Sequence, residues 1–92
     1  MTEHPQMRQT VFGEVLAELL EARDLEVSPF AVGKLAEDAG LDGWKVLGRM
    51  ADAATRGPAN LGGLADALGL SEAERDELAF AFAFERRPPT TA

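Results

Sequence analysis

Between Leu35 and Leu70 the chain is punctuated so closely that only short helices fit. Leu35-Ala36 leads into a turn at Ala39-Gly40-Leu41, and a short helical segment follows over Gly43–Ala53. Arg56-Gly57-Pro58 then breaks the chain, and Leu64-Ala65-Asp66-Ala67-Leu68-Gly69-Leu70 reads as a further helix. A glycine ends a helix by taking the left-handed conformation without steric cost, and proline cannot continue one. Strand formers are scarce while Ala, Leu and Glu dominate, so the punctuation separates helices rather than strands. Ninety-two residues make one domain, large enough to form a core unaided.

The flanking segments supply the remaining helices. Phe12, Val15, Leu16, Leu19 and Leu20 recur at helical spacing, which predicts a first helix over about Thr10–Arg23. Glu14, Glu18 and Glu21 fall off that stripe as a solvated face. Ser28-Pro29 starts a second helix, running to about Asp38 with Ala31, Val32, Leu35, Ala36 and Ala39 inward. Asp42 can cap the third helix, in which Val46, Leu47 and Met50 face the core. Lys45, Gly48, Arg49 and Asp52 are left on an outward stripe. Asn60 caps the fourth helix, with Leu61, Leu64, Ala65 and Leu68 buried. Ser71-Glu72-Ala73-Glu74 is a capping box that opens a fifth helix, ending near Glu85 before Pro88-Pro89. The expected organisation is a mobile arm over residues 1–9, one all-α domain of five helices over 10–86, and a disordered tail over 87–92.

The fifth helix contains an oddity. Leu78-Ala79-Phe80-Ala81-Phe82-Ala83-Phe84 alternates as a strand would. It continues from a capped start without a break, and three of its seven residues are alanine, so helix is the expectation. At 100° per residue, Leu78 and Phe82 share one face while Phe80 and Phe84 point nearly opposite. Either this helix lies in a groove and is buried all round, or Phe80 and Phe84 form an interface. A second copy could bring Phe80 of one chain against Phe84 of the other.

Leu35-Ala36, Gly40-Leu41 and Val46, followed by Pro58 and Leu64–Leu70, are spaced as in a helix-turn-helix. The chain resembles the Cro/repressor (Xre) type over roughly residues 11–84. That resemblance implies a compact five-helix, lambda-repressor-like fold, often dimeric, whose third helix enters the DNA major groove. It implies a regulator of transcription with Gly43, Trp44, Lys45 and Arg49 at the groove, and Lys34 and Arg56 near backbone phosphates. Gly43 would allow close approach, and Lys45 and Arg49 could meet guanine edges or phosphates. For Lys45 and Arg49 a merely solvated face is the alternative. Trp44 could lie against a sugar or a thymine methyl, or pack on the next helix. The chain departs from the family pattern at Ala31 and Val32, where a polar residue and a phosphate-contacting glutamine are usual. It departs again at Arg49 and Met50, where a large apolar residue and a glutamate are usual. A slight roll of the helix would let Met50 take the core position.

Charge bears on the same question. The net charge is −7 with a pI near 4.5, whereas nucleic-acid-binding domains commonly exceed a pI of ~9. Residues 28–58 are locally neutral: Lys34, Lys45, Arg49 and Arg56 stand against Glu37, Asp38, Asp42 and Asp52. Three or four phosphate contacts would support only weak, salt-sensitive binding. The rival expectation is a helix-turn-helix scaffold serving as a protein-interaction module through Phe80 and Phe84, without DNA.

No enzyme is expected. His4 is the only histidine and lies in the arm, there is no cysteine, and no phosphate loop, nucleophile elbow or metal-ligand spacing occurs. No cofactor or metal is expected. The N-terminal stretch holds no apolar run resembling a signal peptide, and no segment has the length of a membrane span. A cytoplasmic protein is therefore the expectation.

Overall fold

All five helices begin where a side-chain oxygen accepts from a free backbone N–H. In the computed structural model, which describes residues 5–52, 54–58 and 60–84 with side chains for all but 5, 6 and 84, Thr10 caps α1 (Val11–Ala22). Ser28 caps α2 (Pro29–Asp38), accepting from the N–H of Ala31 at 3.2 Å. Asp42 caps α3 (Gly43–Ala51) by accepting from Trp44, and Asn60 caps α4 (Leu61–Leu68) by accepting from Gly63. The fifth, α5 (Glu72–Phe84), opens with the reciprocal pair of a capping box. Ser71 N–H donates to Glu74 Oε1 at 2.9 Å, and Glu74 N–H donates to Ser71 Oγ at 3.2 Å. Gly40 and Gly69 follow their helices with φ of +78° and +67°, conformations that a Cβ disfavours.

The fold is all-α, with no strand among the described residues. Helices α2 and α3 pack on each other across the turn at Ala39–Asp42; α1 lies against α3 and α5, and α4 against α2 and α5. Phe12, Leu16 and Leu20 of α1, Val32 and Ala36 of α2, Val46 and Met50 of α3, Leu64 of α4 and Leu78 of α5 make the buried centre. Val15, Leu35, Leu47 and Leu61, expected inside, are partly buried at its edge. The alternating aromatic segment is helical as expected: Leu78 and Ala81 are buried and Phe82 half-buried. The Phe82 ring meets Phe12 edge-on, with centroids 5.4 Å apart. Phe80 is 69 % exposed, on the opposite side.

The expectation for the N-terminal arm is corrected in part. Pro5–Arg8 forms a 3-10 turn against α1 and α3, and Met7 is in the core. The reason is packing. A polar, aperiodic stretch conceals one methionine, Met7, that joins the core where the 3-10 turn meets α1 and α3. Residues 1–4 with His4, and the tail over 87–92, lie outside the described residues, as does the side chain of Phe84.

Candidate functional site

The α2–turn–α3 unit presents its first turns to solvent, and those turns hold two large aromatics. Phe30 is the second residue of α2 and Trp44 the second of α3. They stand in equivalent places. Val32 and Ala36 lie two and six residues after Phe30, and Val46 and Met50 lie two and six after Trp44. All four of these are fully buried. An offset of two or six residues turns a helical side chain to roughly the opposite side. Phe30 and Trp44 are accordingly 80 % and 83 % exposed.

Between them runs a groove of about 500 Å³ whose lining includes Pro29, Phe30, Lys34, Glu37, Trp44 and Leu47. A second recess of about 290 Å³ is lined by Phe30 and Lys34 as well, together with Leu25, Glu26, Leu35 and Asp38. The floor of the larger groove exists because two glycines meet. A Cβ on Gly43 would stand 3.2 Å from both the Cα and the carbonyl oxygen of Gly33. Gly43 is thus a buried helix-packing residue.

Arg49 is also corrected. Instead of joining Lys45 on an outward stripe, it is 2 % exposed. Its guanidinium donates to the carbonyls of Thr55 (3.1 Å) and Phe82, and lies over the Phe82 ring at 4.2 Å from the centroid. Thr10 Oγ1 donates to the carbonyls of Arg49 (2.9 Å) and Met50 (3.1 Å), holding the end of α3 against α1. Lys45 and Arg49 do share a helix face, but α5 closes over only the C-terminal turn of that face. Met50 takes the core position expected of a rolled helix, but Arg49 is not turned outward as that roll would require.

The remaining expected DNA contacts, Lys34, Lys45 and Arg56, are all exposed. So are Glu37, Asp38, Asp42 and Asp52, which leaves three basic groups against four acidic ones on residues 28–58 once Arg49 is withdrawn. Trp44 does not pack on the next helix; it points to water. Phe80 is exposed on α5, away from the Leu78 face, while Phe84 as an interface residue lies outside the described side chains.

Phe30 was the residue missing from the sequence expectations. Its signal was present: it shares a helix face with Lys34 and Glu37, opposite Val32, where a solvated face should carry no phenylalanine. Glu74, outside this unit, serves structure. Glu74 Oε1 accepts from Arg23 at 2.6 Å, and that guanidinium also donates to the Leu68 carbonyl at 2.8 Å. The Arg23 hydrogen bond, followed by that from the Ser71 N–H, holds the Glu74 carboxyl down from 4.5 to about 2. No described helix is long and apolar enough to cross a membrane, and no metal-ligating cluster of three or more His, Cys, Asp or Glu occurs among the described residues. The chain matches no protein-family model, and searches of curated proteins and of solved structures likewise find no match.

Proposed function

We propose that this chain is a non-enzymatic protein-interaction module, shaped as a helix-turn-helix, that engages its partner through the Phe30–Trp44 groove. One observation carries this reading: two aromatics, each about four-fifths exposed, flank a single groove whose surroundings are not basic. A contiguous exposed apolar patch is costly in water unless something covers it, and Trp and aromatic anchors dominate protein interfaces.

A second reading retains the Cro/repressor resemblance: a cytoplasmic, DNA-binding regulator of transcription. It rests on the exposed first turn of α3, where Trp44 and Lys45 stand side by side. In that reading a two-fold contact through Phe80 and Phe84 sets the spacing of two α3 helices.

The two are separated by selection of random duplexes on the purified chain at low salt, alongside photo-crosslinking from a reactive residue placed at position 44. The interaction reading expects no selected sequence motif, and a protein adduct in the native cell that Phe30→Ser abolishes. A selected motif whose binding is lost in Lys45→Ala would establish the DNA reading instead.

A further inference from the structure

We infer that the occupant of the Phe30–Trp44 groove is a cationic amphipathic helix of another protein; this rests on the interaction-module reading and names its partner class. Three properties of the surface select that chemistry.

The first is the backbone. Among the described residues there is no strand, so no sheet edge is offered. The first turns of α2 and α3 are capped from within by Ser28 and Asp42. An extended peptide lying here would find few backbone partners and would leave its own N–H and C=O groups to water. A helix brings its backbone hydrogen bonds with it and offers only side chains, at the i, i+3, i+4 spacing that fills an apolar groove.

The second is volume. The larger recess, about 500 Å³, and the second one, about 290 Å³, are both lined by Phe30 and Lys34. Two recesses with shared lining suit successive apolar anchors of a single helix better than one compact ligand.

The third is charge. Glu26, Glu37 and Asp38 border the two recesses against Lys34 alone, on a chain of net charge −7. Electrostatic steering therefore favours a basic partner and opposes DNA, an anionic membrane surface and a second copy. The chain's own described helices do not supply such a partner. The outer face of α1 carries Glu14, Glu18 and Glu21, and α5 carries Glu72, Asp76 and Glu77.

The test uses the full chain and designed peptides. A labelled leucine–lysine helix is titrated with protein by anisotropy, beside a leucine–glutamate helix of the same apolar pattern. Trp44 is the only tryptophan and there is no tyrosine, so its emission reports occupancy directly. The lysine helix should bind in the micromolar range and shift Trp44 emission to the blue. The glutamate helix should bind at least tenfold more weakly. Phe30→Ser with Trp44→Ser, both on exposed side chains, should weaken the lysine helix at least tenfold while the circular-dichroism melt is unchanged. Glu37→Gln with Asp38→Asn should weaken it at least threefold. Equal binding by the double serine variant would overturn the inference, because bare charge attraction would then explain it. Equal binding of the glutamate helix would overturn the cationic preference and leave the interaction module standing. If neither peptide moves Trp44 and a DNA duplex does, this inference and the proposed function fall together. A concentration-dependent dimer that buries Trp44 would assign the groove to a second copy, again against the inference.

Discussion

Lys45 and Arg49 lie one helical turn apart and are equivalent in the sequence pattern, yet they have different fates. The side chain of Lys45 is in water, so Lys45→Ala should change stability by no more than ~0.5 kcal/mol. Arg49→Ala removes the donor from the Thr55 and Phe82 carbonyls, each a loss of ~1–3 kcal/mol when the acceptor stays buried. Thermal melts of the two variants decide the matter; equal midpoints would return Arg49 to the surface. Trp44 makes a second prediction at this scale. With 83 % of the residue exposed, the native emission maximum should nearly coincide with that of the urea-unfolded chain. A native spectrum clearly to the blue would put the ring inside the domain.

Caps and glycine turns define each helix locally, but Arg23 joins three of them. It stands at the C-terminal cap of α1, reaches the Leu68 carbonyl at the end of α4, and pairs with Glu74 in the first turn of α5. Glu74 belongs to a local capping box and a tertiary ion pair at once, which explains why its carboxyl is held down to about 2. A carboxyl that binds its proton less tightly when folded contributes stability above its ordinary 4.5 and loses it as pH falls toward about 2. Glu74→Gln should therefore melt below the parent at neutral pH. The two midpoints should converge between pH 4.5 and 2. A difference that does not depend on pH would mean that the carboxylate charge contributes nothing.

Across the whole molecule one core serves all five helices, and Leu64 of α4 sits in it without solvent contact. Truncating it to alanine should cost ~2–5 kcal/mol, a large share of the ~5–15 kcal/mol that stabilises a domain. For a chain of this size that lowers Tm on the order of 10 °C or more. The loss of helix should remain a single transition, since no element has a core of its own. A melt within a degree or two of the parent would show that Leu64 is not central.

The helices, their ends and their core-facing stripes were legible in the residues because capping, left-handed glycine and the 3.6-residue period act within a few positions of the chain. Thr10, Ser28, Asp42, Asn60 and Ser71 illustrate this. The surface was not legible in the same way, because exposure depends on which neighbouring helix covers a given turn, and that neighbour is distant in sequence. Arg49 is buried because α5, some thirty residues on, closes over it. Met7 is in the core because Pro5–Arg8 packs against α1 and α3, while Trp44 is in water because α2 covers only the Gly43 side of the first turn of α3 among the described residues. Local chemistry decided where each helix starts and stops; long-range packing decided which of its side chains are available to a partner.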